Sequence, residues 1–127
     1  LKREEVRRIA IGNPDSVPAG RYAKLALERR GLWEALKARF AFTLNVRQAL
    51  DYVARGEAEA GFVYATDALV MPAKVRIVAK VEVPTDILYP VAVVRGGGNF
   101  KGGTAFAAFL RTDAAQSILL KHGFLKP

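Results

Sequence analysis

An α/β fold with parallel strands in a layered sheet is the architecture this sequence predicts, and three observations predict it. Short apolar runs of strand character alternate with stretches whose apolar residues recur at helix spacing. Clusters of Gly, Pro, Asn and Asp separate the two kinds of segment. Hydrophobic residues make up 51% of the 127-residue chain, enough for the core of one compact domain and too many for a disordered chain. Strands joined through helices pair in parallel, because the helical crossover returns the chain to the edge from which it started.

Arg8-Ile9-Ala10-Ile11-Gly12 reads as a short strand and Asn13-Pro14-Asp15-Ser16 as a turn. Pro18 suits the first position of a helix, with Ser16 or Val17 near the cap, and residues 20–30 carry Tyr22, Leu25 and Ala26 on neighbouring turns. Gly31 stops that helix. A second short helical piece, residues 32–38, contains Trp33, and residues 40–44 form an apolar, β-prone strand. Asn45 is placed to cap a helix over residues 46–55, in which Val46, Ala49, Leu50 and Val53 share a face, and Gly56 closes it. Residues 60–64 read as a buried strand ending on Tyr64, followed by a short turn or helix over 66–70 that Pro72 interrupts. Two further strands are predicted. In residues 75–83, Val75, Ile77, Ala79, Val81 and Val83 alternate with Arg76, Val78, Lys80 and Glu82; residues 88–95 hold Tyr89-Pro90-Val91-Ala92-Val93-Val94. Gly96-Gly97-Gly98-Asn99 is a flexible loop, and the stretch from Gly96 to Gly103 a pliable connection. A last helix is expected over residues 104–122, broken near Asp113, with Phe106, Phe109, Leu110, Ala114, Ile118 and Leu119 among its apolar positions.

Composition narrows the function. Twenty Lys and Arg against twelve Asp and Glu give a net charge of +8, which favours a negatively charged partner: nucleic acid, an anionic membrane or a small oxyanion. An ordinary basic surface accounts for the charge equally well. The chain has no cysteine, so disulfides, Cys-ligated zinc and thiol catalysis are excluded. No segment is long and apolar enough to span a bilayer. The first residues, Leu1-Lys2-Arg3-Glu4-Glu5-Val6-Arg7-Arg8, have no apolar core of a signal peptide and no initiator Met, and the expectation is a chain cut from a longer precursor.

Catalytic patterns are lacking. The one histidine, His122, falls near the end of the last predicted helix, where a cation suits the helix C-terminus. No G-x-S-x-G elbow presents a serine to it. Gly96-Gly97-Gly98 matches neither a phosphate loop nor a dinucleotide fingerprint. Glu57 and Glu59 flank a predicted helix end and read as solvated. Lys2-Arg3 and Arg7-Arg8 read as a solvated terminus rather than a phosphate patch. A nucleic-acid module would interleave exposed aromatics with these basic residues, and the aromatics sit in apolar runs instead. No enzyme, no metal site and no nucleic-acid partner is expected.

Anion chemistry is present in outline. Ser16-Val17-Pro18-Ala19-Gly20 opens one predicted helix and Thr43-Leu44-Asn45-Val46 another. A helix N-terminus offers unpaired N–H groups and a partial positive charge. Both helices follow strands, so both starts can share the sheet edge at which open α/β folds bind ligands. Small Ala19 and Gly20 let an anion approach the backbone, and Tyr64 closes the next strand at that edge with a hydroxyl to donate. Neutral donors suit a fully ionised anion, which accepts hydrogen bonds and brings no proton. Yet every helix has an N-terminus, and a tyrosine ending a strand is often core, so the residues alone leave the site open.

Five motifs extend this outline. Ile9-Ala10-Ile11-Gly12-Asn13-Pro14, Val17-Pro18-Ala19-Gly20-Arg21-Tyr22-Ala23, Asn45-Val46-Arg47-Gln48-Ala49-Leu50, Val63-Tyr64-Ala65-Thr66-Asp67-Ala68 and Tyr89-Pro90-Val91-Ala92-Val93-Val94 resemble, in order and spacing, the motifs of periplasmic molybdate-binding receptors of ABC importers. The ending, Phe109-Leu110 to Gly123-Phe124, is similar too. The resemblance implies a three-layer, type II periplasmic-binding-protein-like lobe with a mostly parallel sheet flanked by helices. It implies molybdate or tungstate as ligand, no cofactor, a membrane permease as partner and a periplasmic location. The anion is held by hydrogen bonds rather than as a coordinated cation. The residues it points to are Ala19 and Val46, each through a backbone N–H, and Tyr64 through its hydroxyl.

The family is built from two lobes around a hinge, and the serine motifs of the first are missing here. The expectation is that residues 1–83 are the second ligand-binding lobe and residues 84–127 a return strand and C-terminal helix that normally pack towards the first. Leu44 stands where an acidic residue is expected before Asn45. Half a cage should bind anion weakly, and the apolar last helix implies a homo-oligomer in which the segment after about Gly96 packs on a neighbour. The alternative is the ligand-sensing domain of a transcription regulator with the same fold. An upstream helix-turn-helix would favour regulation and a signal peptide transport; the residues before Ile9 show neither.

Overall fold

A computed structural model of the chain describes residues 1–126, so Pro127 lies outside it. The fold is α/β, a parallel three-stranded sheet flanked by helices. Its elements are β1 (Ile9–Gly12), α1 (Pro18–Glu28), α2 (Trp33–Leu36), β2 (Phe40–Thr43), α3 (Val46–Ala54), β3 (Ala60–Gly61), α4 (Ala65–Ala68), α5 (Phe100–Phe109) and α6 (Asp113–Lys121). Two compact units divide it, Leu1–Thr85 and the stretch from Asp86 on.

The first unit is built around β1. It lies between its partners in the order β2-β1-β3, with Ile9 opposite Phe40 on one side and Ala60 on the other. Strand residues alternate between faces, so Ile9 and Ile11 point one way and Ala10 the other. Ile9 and Ile11 join Ala23, Leu27, Trp33 and Leu36 in a core beneath α1 and α2. Ala10 packs with Ala49 and Ala58, with Tyr52 and Val53 alongside, beneath α3. Helices therefore cover both faces, and β1 is buried along its whole length. The residue choice follows: a strand covered on both sides has no position for a polar side chain.

The ends of α1 and α3 are as the sequence predicts. Pro18 is the first residue of α1. At Gly31, φ is +63°, and its N–H bonds to Glu28 O at 2.9 Å while that of Leu32 reaches back to Leu27 O at 2.8 Å. Gly56, at φ +73°, ends α3 in the same way, with the Glu57 N–H on Tyr52 O at 2.8 Å. Both are glycine-terminated caps that satisfy the last helical carbonyls.

Three expectations are corrected. The strand predicted over 60–64 is paired only at Ala60–Gly61; the Phe62 N–H still reaches Ala10 O at 2.9 Å, and the chain then turns into α4. Residues 75–83 and 88–95 are not strands. Among the described residues no other strand pairs with them to complete a ladder, and alternation alone cannot satisfy an extended backbone. The last helix begins at Phe100, not near Thr104, because Asn99 Oδ1 accepts the Gly102 N–H at 2.9 Å and nucleates the first turn. Gly102 and Gly103 are thus helical, and the pliable connection shortens to Gly96–Asn99. The break near Asp113 is real: α5 ends at Phe109, and Thr112 caps α6 by accepting the Ala115 N–H at 3.3 Å.

Glu59 is exposed, as expected, yet it is not idle. Its carboxylate accepts the Arg8 N–H at 2.6 Å and the Arg7 N–H at 3.1 Å, tying the chain that enters β1 to the start of β3. The Arg8 N–H is the largest cause holding the Glu59 carboxyl below its ordinary pKa. Arg39 ties the same entry segment, donating to Arg3 O and Val6 O, each at 2.9 Å.

Candidate functional site

Three parallel neighbours must end at one edge of the sheet. Gly12 of β1 lies opposite Thr43 of β2, and β3 runs alongside β1 through Ala60 and Gly61. Adjacent strands are about 4.8 Å apart, so three consecutive chain exits fall within about 10 Å across this edge. Each exit leads into a helix. β1 feeds α1, β2 feeds α3, and the chain beyond β3 reaches Tyr64, the residue before α4.

The β1 exit is organised by Asn13. Its N–H donates to Thr43 O at 2.9 Å, its own carbonyl accepts from Ser16 and Val17 at 3.1 and 2.7 Å, and its Oδ1 accepts from Asp15 at 3.0 Å. This knot sets the start of α1. The residue before that helix is Val17, whose side chain cannot accept a hydrogen bond, and the first turn contains no acid. The Gly20 and Arg21 N–H groups bond to Val17 O, while the Ala19 N–H has no acceptor among the described residues. Ala19 is itself buried, 7% exposed, so its methyl packs inward.

The β2 exit is organised by Thr43 and Asn45. Among the described residues Thr43 is the one buried polar residue, and its hydroxyl donates to Asn45 O at 3.0 Å. Asn45 Oδ1 accepts the Gln48 N–H at 2.9 Å, and Gln48 Oε1 accepts the Leu44 N–H at 2.8 Å. This reciprocal arrangement fixes the entry of α3. The Val46 and Arg47 N–H groups have no acceptor among the described residues, and no acid lies in the first turn. The positive end of the helix dipole is therefore uncompensated at both exits. Arg47, the second residue of α3, is exposed and adds a full positive charge.

The third exit carries Tyr64, half-buried with extended backbone at φ −70° and ψ 153°. Topology thus places Ala19, Val46 and Tyr64 on one edge. Leu44 sits among them and is 81% exposed. For Gly20 the structure assigns a different task from ligand approach: a Cβ there would overlap the Gly12 carbonyl oxygen, so the missing side chain lets α1 rest directly on the end of β1.

Asn13, Thr43 and Gln48 position the site, and sequence reasoning did not single them out. The signals were a lone polar residue ending Phe-Ala-Phe-Thr and a glutamine three residues after a capping asparagine. Away from this edge, a recess of about 190 Å³ is lined by Glu28, Gly31, Trp33 and Glu34, at the far end of α1. Its two carboxylates make it unsuited to an anion. Among the described residues no cluster of His, Cys, Asp and Glu could hold a metal ion, and no helix is long and apolar enough to cross a membrane.

Comparison with known proteins follows the same direction. Residues 1–125 match the family model described as bacterial extracellular solute-binding protein. The chain is 41% identical over 122 residues to a Bacillus subtilis lipoprotein assigned as the substrate-binding component of an ABC transporter, covering 94% of this chain and 46% of that protein. It is 41% identical over 121 residues to the molybdate-binding protein of Escherichia coli, covering 92% and 46%. Among solved structures, a substrate-binding domain assigned to a molybdenum ABC transporter of Clostridium difficile superimposes with a TM-score of 0.81 at 34% identity, over 98% of this chain and 55% of that one. The chain spans about half the length of the curated relatives it matches.

Proposed function

We propose that this chain, which belongs to the bacterial extracellular solute-binding protein family, binds molybdate or tungstate as one lobe of the receptor for an ABC importer. In this reading it acts outside the cytoplasmic membrane, delivers its anion to a membrane permease, needs no cofactor and catalyses nothing. Residues 1–83 are the second ligand-binding lobe, and residues 84–127 the segment that returns towards the first. The Ala19 and Val46 N–H groups and the Tyr64 hydroxyl donate to the anion.

One observation carries the reading: two helix starts with unpaired N–H groups, and one tyrosine, leave three adjacent parallel strands at a single edge. The names printed for the relatives support molybdate as the ligand class. The chemistry agrees. A site made of donors suits an anion without a proton, and a phosphate that carries one meets no acceptor there. Arg47 raises the local anion concentration without filling the cage.

Calorimetric titration with molybdate, tungstate and phosphate tests this, on the chain itself and on a receptor carrying both lobes. Val46→Pro is the sharpest variant. It deletes one N–H at the first helical position, where proline is accommodated, and Asn45 already has the extended backbone, φ −162° and ψ 169°, that a following proline requires. A hydrogen bond to a charged group contributes about 1.5–3 kcal/mol, so affinity should fall roughly 10- to 150-fold while helix content is unchanged. Tyr64→Phe should act similarly. Unaltered molybdate affinity in both variants, or phosphate bound as tightly as molybdate, sinks the assignment.

A further inference from the structure

We propose that the buried hydroxyl of Thr43 is a positioning group for the anion site: it grips the Asn45 carbonyl and so aims the Val46 N–H at the ligand. The inference rests on the role proposed for Val46 and adds a residue that never touches the anion.

A trans peptide group is planar, so its C=O and N–H point in opposite directions. Whatever holds one end therefore directs the other. The turn between β2 and α3 uses this twice. The peptide joining Thr43 to Leu44 is held at both ends, since Thr43 O accepts the Asn13 N–H at 2.9 Å and the Leu44 N–H donates to Gln48 Oε1 at 2.8 Å. The peptide joining Asn45 to Val46 is held at one end. Its carbonyl accepts the Thr43 hydroxyl at 3.0 Å, and its N–H has no acceptor among the described residues. Thr43 thus fixes both peptides, the first through its carbonyl and the second through its hydroxyl.

The hydroxyl, more than the helix, sets this second peptide. Asn45 O also accepts the Ala49 N–H, but at 3.4 Å, well beyond the usual N–H···O distance of about 2.9–3.0 Å. The Asn45 side chain is engaged elsewhere, on the Gln48 N–H at 2.9 Å. Thr43 is only 1% exposed, so water does not compete for its hydroxyl. For packing alone valine would serve as well, having the same shape and no polar group to bury.

The β1 exit supplies an internal control. The residue before α1 is Val17, and main-chain bonds to Asn13 O and Val17 O shape that turn. Removing the Thr43 hydroxyl should therefore disturb the Val46 donor and spare the Ala19 donor.

Amide NMR of the isotope-labelled chain, titrated with sodium molybdate, tests the proposal. In the wild type the Ala19 and Val46 resonances should move together. Thr43→Val should raise the dissociation constant about three- to tenfold, the effect of one hydrogen bond misaligned. It should also shrink the shift of Val46 at saturation and leave that of Ala19. Thr43→Ser, which keeps the hydroxyl, should bind within about twofold of the wild type. In a Val46→Pro background the N–H is gone, and Thr43→Val should then weaken binding by less than about twofold. A purely structural role would weaken it equally in both backgrounds. Circular dichroism checks the fold; if Thr43→Val does not fold, Thr43→Ala carries the same expectations. Unchanged affinity and an unchanged Val46 shift without the hydroxyl overturn the proposal, and so does an equal loss in both backgrounds. The anion reading survives either result provided Val46→Pro weakens binding. A Val46→Pro variant that binds like the wild type, or a wild type whose amides ignore molybdate, removes that reading and this inference together.

Discussion

The strand β1 and the segment 75–83 carry the same kind of sequence signal, yet they end in opposite states. Ile9, Ala10 and Ile11 are completely buried, whereas Val78 is 78% exposed in a segment with no ladder. Branched apolar residues are common to both, and Arg76, Lys80 and Glu82 alternate with them in the second as in a strand with one solvated face, so strand preference alone does not separate the two outcomes. Neighbours do: β1 has a strand on each side and a helix on each face. Strand preference measures how well a residue fits a pleated surface, and it stabilises nothing until that surface exists. Helices behave differently. α5 forms with no buried residue and α6 with only Ala115 buried, because a helix satisfies its backbone within its own turns.

That contrast can be broken in order of expected effect. Ile11→Ala empties the centre of the larger core and should cost about 2–5 kcal/mol in chemical denaturation. A cost below 1 kcal/mol would mean that the first unit is not held by its sheet. Gly20→Ala should cost about 1–3 kcal/mol by forcing α1 away from β1, without removing any contact from the core. Asn45→Ala removes the acceptor for the Gln48 N–H and should cost about 1 kcal/mol. If its cost equals that of Ile11→Ala, the α3 cap matters more than the packing beneath it.

Glu59 gives a dependence on pH. Its folded pKa is depressed, so the ionised carboxylate stabilises the fold above the ordinary glutamate pKa, and this contribution disappears as pH falls through the folded value. Wild type should therefore be more stable than Glu59→Gln at neutral pH, and the gap should close in acid. Denaturation at the two pH values checks it; a gap that persists in acid would assign the tie to shape rather than charge. Val78→Ala should give the smallest effect, within about 0.5 kcal/mol at concentrations where the chain is monomeric, since the side chain is exposed and packs on little. Hydrogen exchange gives the matching readout: β1 amides should exchange slowest and those of 76–83 fastest.

Much of the fold was legible. Pro18 at a helix start, the Asn45 cap, the Gly31 and Gly56 stops and the break before Asp113 were each readable from a few adjacent residues. Candidate site residues were legible as positions: Ala19 and Val46 at helix starts, Tyr64 after a strand. What the local pattern could not reveal was that Asn13 and Thr43 tie the two exits together, because that bond joins residues thirty positions apart in the chain. Nor could it show that Gly20 is small for the sake of Gly12 rather than for a ligand.

The sequence by itself determined the helices, the ends of α1 and α3 and the α/β rhythm, since a helical turn or a glycine cap closes its hydrogen bonds within about five residues. Only the tertiary structure decided which apolar runs became strands, which face of β1 met which helix, and which three exits shared an edge. Those outcomes depend on partners distant in sequence, and a segment without such a partner among the described residues, like residues 75–83, keeps its alternating pattern but not its pairing.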